Sequence, residues 1–127
     1  MIDHTGIHVS DLACSRRFYT AALAPLGMVE RSVRDDAVGY SAQQPGPQDD
    51  PAGAFWIAAA PLMEPRVHLA FRAENRAQVD AFHRAALQAG GTDHGAPGLR
   101  PHYHARYYAA FVLDPDGYNI EAVCHQG

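Results

Sequence analysis

The chain has 127 residues, of which 47% are hydrophobic and 19% charged, and it carries a formal charge of -4 with histidine neutral. That length makes one domain, residues 1–127, and the composition excludes a disordered chain or a membrane-spanning bundle. The mild negative charge lacks the basic footprint that nucleic acid demands, so a small molecule is the expected partner.

Residues 2–9 alternate as a strand, with His4, Gly6 and His8 on one face and Thr5, Ile7 and Val9 on the other. Ser10 can cap the following helix, with Asp11 in its first turn and Cys14, Phe18, Ala22 and Leu23 at roughly helical spacing. Pro25 to Gly27 stops it. Residues 28–41 read as strand and turn, 43–53 as a polar loop, and 54–59 as an apolar strand that carries Trp56 and Ile57.

From Arg66 the pattern starts again. Val67, Leu69 and Phe71 alternate with His68, Ala70 and Arg72, Asn75 can cap a helix over 76–89, and Gly90-Gly91 ends it. A shift of 64 residues lays His68 on His4, Asn75 on Asp11, Phe82 on Phe18 and Gly91 on Gly27. Two related halves, approximately 1–64 and 65–127, are the economical account. Each reads as a strand, a helix and then further strands.

Residues 95–108 read as a loop in which Arg100, His102, Tyr103, His104, Tyr107 and Tyr108 offer cationic, hydrogen-bonding and stacking groups. These groups suit a substrate loop and equally an aromatic contact between two copies of the chain. Asp114-Pro115-Asp116-Gly117 is turn chemistry, and the strand after it places Asn119, Glu121, Val123 and His125 on one face. A carboxylate in mid-strand needs a partner or a cation. Two imidazoles and one carboxylate, here His4, His68 and Glu121, are the donor set that suits one divalent metal ion with open coordination positions. Fe, Mn, Zn and Ni are not distinguished by it. Taken singly, each side chain also has a bland account, as a hydrogen-bonded strand histidine or a solvated glutamate.

These residues resemble the vicinal oxygen chelate superfamily, which includes glyoxalase I, fosfomycin-resistance thiol transferases, extradiol dioxygenases and bleomycin-resistance proteins. The resemblance spans nearly the whole chain. It rests on Ile2-Asp3-His4, on Val9-Ser10-Asp11-Leu12, on Ser15-Arg16-Arg17-Phe18-Tyr19, on His68 and on Asp114 through Glu121. It implies an α+β fold in which two βαβββ repeats form a curved, incomplete barrel around a metal held by His4, His68 and Glu121, commonly with dimerisation. The fourth ligand of a glyoxalase I falls on Ile57 by the 64-residue shift, where no side chain can bind metal, so glyoxalase I itself is disfavoured.

The functional expectation is a metal-dependent enzyme acting on a small substrate chelated through vicinal oxygens, with dioxygenase, lyase or thiol-transferase chemistry open. The alternative is a non-enzymatic sequestering protein of the bleomycin-resistance type. His8, His102 and His104 are the candidates for proton transfer, since imidazole titrates near neutrality. Trp56, Arg100, Tyr103, Tyr107 and Tyr108 are the candidates for substrate contact. A homodimer is expected from the aromatic loop and the open sheet edges. Cys14 and Cys124 show no zinc-knuckle spacing, and the first residues lack a signal-peptide pattern, so reduced thiols and a cytoplasmic location are expected.

Overall fold

A computed structural model describes all residues, 1–127. The first half runs β1 (Thr5–Val9), α1 (Leu12–Leu23), a single 3-10 turn, β2 (Met28–Val33), β3 (Ala37–Ala42) and β4 (Phe55–Ala59). The second runs β5 (His68–Arg72), α2 (Arg76–Gln88), β6 (Thr92–Leu99), β7 (Tyr108–Leu113) and β8 (Asn119–Cys124). Each half is therefore βαβββ, and the fold is α+β. Its two four-stranded sheets, ordered β1-β4-β3-β2 and β5-β8-β7-β6, are mixed and do not close on each other. In each sheet the first strand pairs in parallel with the last, which brings the beginning and the end of a half side by side.

The helices start where short polar side chains can take over the free N–H groups of a first turn. Asp11, rather than Ser10, caps α1 and accepts from the Cys14 N–H at 3.1 Å, and Asn75 caps α2 through the Gln78 N–H at 2.9 Å. Ser10 is instead drawn to Asp116, to which both its N–H and its hydroxyl donate. The helical stops are glycines in left-handed conformation, Gly27 at φ 81° and Gly90 at φ 103°, where a side chain would be strained.

Both sheets turn their apolar faces to one shared core. Ile7, Val38, Tyr40, Phe55 and Ile57 come from the first sheet, Ala110, Val112, Ile120 and Ala122 from the second, and Phe18 and Phe82 from the helices. Phe55 meets Phe71 edge-on across the halves at 5.2 Å between ring centroids. Cys124 lies in this core, whereas Cys14 is only partly covered; both are free thiols.

A buried polar joint fastens the halves. Asp114 is 4% exposed and accepts from the Tyr19 hydroxyl of α1 and from the N–H groups of Asp116 and Tyr118, both at 2.9 Å. Burial holds its carboxyl above the ordinary range, against the pull of those donors. Tyr118 in turn donates to the His8 carbonyl at 2.6 Å and accepts from the Met63 N–H at 3.1 Å. The Asp-Pro-Asp-Gly turn is thus the bolt between the two halves as well as the lead into β8. No helix is long and apolar enough to cross a membrane.

Candidate functional site

The parallel pairing of β5 with β8 sets His68 opposite Asn119 and Ala70 opposite Glu121. Strand alternation then points His68 and Glu121 to the same side, away from the core. Glu121 is 2% exposed, and its Oε1 lies 3.0 Å from His68 Nε2. His68 Nδ1 lies 2.8 Å from the Asn119 carbonyl, which can only accept, so Nδ1 carries a proton. In the neutral ring the lone pair is therefore on Nε2 and faces the carboxylate. Two acceptors at that separation require a proton or a cation between them.

The other carboxylate oxygen, Oε2, accepts a hydrogen bond from the Tyr107 hydroxyl. Burial, and after it the bond to Glu121, pushes the Tyr107 phenol up to about 12, so it remains a donor at neutral pH. His68 also stacks on Phe111, 6.2 Å between centroids. The arrangement is a carboxylate with one oxygen committed to a phenol and the other aimed at His68 Nε2.

His4 stands apart from this pair. It precedes β1 rather than sitting within it, is exposed, and its Nδ1 lies 2.7 Å from Asp3 Oδ1. Asp3 plays for His4 the part that the Asn119 carbonyl plays for His68: with an acceptor on Nδ1, a neutral ring keeps its lone pair on Nε2, where it can bind a metal. Within one chain no three His, Cys, Asp or Glu side chains converge on a point that could hold a metal ion. His4 lines an open depression of about 620 Å³ together with Thr5, Gly6, Asp50 and Trp56.

Trp56 corrects the expectation placed on Ile57. In the first sheet Gly6 is opposite Trp56, just as Ala70 is opposite Glu121 in the second, so the structural counterpart of Glu121 is Trp56. Ile57 is 0% exposed in the core. The indole N–H donates to the Gly53 carbonyl at 3.2 Å, and the Arg34 guanidinium lies over the ring, 4.9 Å from its centroid. An indole holds no metal and removes no proton, so the inference drawn from Ile57 survives with a different residue.

The residues between α2 and β7 are more ordered than a loop. Residues 92–99 form β6, whose pairing with β7 shifts on either side of Gly95, and only 100–107 connect the strands. Arg100 spends its donors inside this segment, on the carbonyls of Gly98 and Ala96, each at 2.8 Å, and covers Phe111. Tyr103 is exposed, while Tyr107 turns inward to Glu121. Tyr108, the next residue, points to the opposite face and donates to Asp80 of α2 at 2.6 Å, so it does not line this site.

The candidate proton-transfer histidines do not bond to the pair. His8 Nδ1 is held by the Pro61 carbonyl at 3.0 Å, and His102 packs on Tyr103 at 4.2 Å between centroids. His104 Nδ1 accepts from the Arg106 N–H at 3.1 Å, which puts its proton on Nε2, where it donates to His125 Nδ1 at 2.9 Å. That is the reverse of the neutral tautomer that the Nδ1 contacts of His4 and His68 favour. No local pattern in the sequence announces the contact of Tyr107 with Glu121.

Among known families, the model of the Glyoxalase/Bleomycin resistance protein/Dioxygenase superfamily matches residues 1–122. The chain is 29% identical to the uncharacterized protein YqjT of Bacillus subtilis, over 94% of this chain and 95% of that one. It superposes on a glyoxalase/bleomycin resistance protein from Albidiferax ferrireducens with a TM-score of 0.80 at 32% identity, covering 98% of each chain. A glyoxalase/bleomycin resistance protein/dioxygenase family enzyme from Burkholderia phytofirmans shares the fold at 18% identity, with a TM-score of 0.72 and 98% of each chain covered.

Proposed function

The chain belongs to the Glyoxalase/Bleomycin resistance protein/Dioxygenase superfamily, and on that premise we propose that it is a divalent-metal-dependent enzyme acting on a small substrate bound through two vicinal oxygens. The observation that carries this reading is His68 Nε2 facing Glu121 Oε1 at 3.0 Å, because one divalent cation can join the nitrogen of a neutral imidazole to the carboxylate oxygen. His4 presents the same tautomer and is the third donor. His4 stands apart from the pair within one chain, so in this reading a second copy of the chain supplies it in a homodimer, which the open sheet edges favour.

The fit rests on donor chemistry. Two neutral imidazole nitrogens and one carboxylate suit a borderline divalent ion, and each ligating group has a hydrogen-bonded support: Asp3 for His4, the Asn119 carbonyl for His68 and Tyr107 for Glu121. A bound ion would supply Lewis acidity toward an oxygen of the substrate. The chain's own residues do the rest. Trp56 and the depression beside His4 receive the organic part of the substrate, and Phe111 fixes the plane of His68. With an indole where Glu121 has its counterpart, base chemistry of the glyoxalase I kind has no side chain to perform it from that strand. Dioxygenase, lyase and thiol-transferase reactions remain the open set.

Metal content tests the proposal. The parent protein is expected to hold one divalent ion per chain, Glu121→Ala none, and His8→Ala nearly the parent amount, because the His8 ring is tied to the Pro61 carbonyl. Equal retention by Glu121→Ala and the parent would end the three-ligand proposal. A parent that takes up no divalent ion would favour the sequestering protein, for which the depression under Trp56 is the binding place.

A further inference from the structure

We propose that Tyr107 is a positioning residue that confines Glu121 to coordination through a single oxygen, Oε1. The inference rests on the metal-site reading above and deepens it. A glutamate can bind a cation through one oxygen or both, and larger ions readily take both. Here the choice is made before any ion arrives. Glu121 is almost wholly buried, its Oε2 accepts from the Tyr107 hydroxyl, and only Oε1 faces His68 Nε2.

The phenol is held where it can do this. The 100–107 connection is closed by the Arg100 N–H donating to the Tyr107 carbonyl at 2.7 Å and by the Tyr107 N–H donating to the His104 carbonyl at 3.2 Å. The Tyr107 ring is wedged among Tyr103 at 4.8 Å and His104 and His125, each at 5.4 Å between centroids. Backbone and ring are therefore both supported where the hydroxyl reaches Glu121. A side chain that merely filled space would not need to end in a donor. A substrate-binding tyrosine would keep its hydroxyl free for the ligand, whereas this one is already spent on the carboxylate.

Two consequences separate positioning from packing. Removing the hydroxyl while keeping the ring releases Oε2, so Tyr107→Phe should retain one ion per chain but bind Zn(II) about 10- to 100-fold more weakly, the usual effect of losing a group that orients a ligand. It should also let the carboxylate close on the ion with both oxygens. Infrared difference spectra of metal-loaded against metal-free protein read this directly, since the symmetric and antisymmetric carboxylate bands lie far apart for one-oxygen binding and close together for two.

The experiment titrates Zn(II) into parent and Tyr107→Phe by competition with a chromophoric chelator and records both difference spectra. Widely split bands in the parent and drawn-together bands with weakened affinity in Tyr107→Phe are expected. Unchanged affinity and unchanged bands in Tyr107→Phe would overturn the assignment while leaving the metal site standing. Closely spaced bands in the parent would overturn it even if Tyr107→Phe failed to fold. A parent that binds no ion would overturn both this inference and the function it rests on.

Discussion

The proposed metal site, shared between two copies, predicts complementation between two variants that each lack a ligand. The perturbation is a pair of chains, His4→Ala and Glu121→Ala, produced together with different affinity tags. Each variant alone builds dimers in which both sites lack one of three ligands, and the loss should exceed the effect of a supporting residue. That means more than about 100-fold in affinity, or about 2.7 kcal/mol. A mixed dimer differs. One of its sites takes His4 from the Glu121→Ala chain and His68 with Glu121 from the His4→Ala chain, so all ligands are intact; the other site lacks two. The isolated mixed dimer should therefore hold about one tight ion, against about two in the parent dimer, and an unfractionated equal mixture should recover about one quarter of parental capacity. The count follows from geometry, because His68 and Glu121 sit on paired strands of one sheet while His4 lies outside them. Dual-tag purification followed by elemental analysis and chelator competition measures it. A mixed dimer that binds no more metal than either variant alone refutes the shared site.

Two further predictions concern what holds the halves and the indole in place. Tyr19→Phe removes a donor from buried Asp114 and should cost about 2 kcal/mol, the scale of a hydrogen bond to a charged group, in denaturant titration at pH 7. Asp114 already titrates above its ordinary range, so its contribution is full at low pH and is lost as pH rises through the folded value. Losing the donor raises that value further, and the deficit should shrink toward pH 4; a deficit equal at both pH values would count against the joint. Gly39→Ala would bring a Cβ to 2.8 Å from both the Ala52 carbonyl and the Trp56 ring, costing about 1–3 kcal/mol and displacing the indole. Trp56 is the sole tryptophan, so its emission reports the shift, and an unchanged spectrum with unchanged stability would refute the packing.

The sequence by itself determined the repeat and most of the elements, because hydrophobic period, caps and glycine stops are local properties that the chain writes residue by residue. It placed His68 and Glu121 on the polar faces of their strands for the same reason: alternation within a strand needs no knowledge of the neighbours. It could not give register. The 64-residue shift holds from His4 to Gly27, yet β4 and β8 correspond at 65, since Trp56 matches Glu121 across β1 and β5 (121 − 56 = 65). One residue of difference in the intervening loops moves a side chain to the other face of the sheet, and that is why Ile57 is core and Trp56 is not. Strand ends escaped for a related reason: His4 lies one residue before β1, where pairing with β4 begins at Thr5 and Phe55. Which groups touch the carboxylate was decided by tertiary structure alone. Tyr107 meets Glu121, 14 residues further along the chain, across the β7–β8 hairpin, and Tyr108 beside it goes to α2, because the pairing of Tyr108 with Cys124 turns the side chains of these adjacent residues to opposite faces.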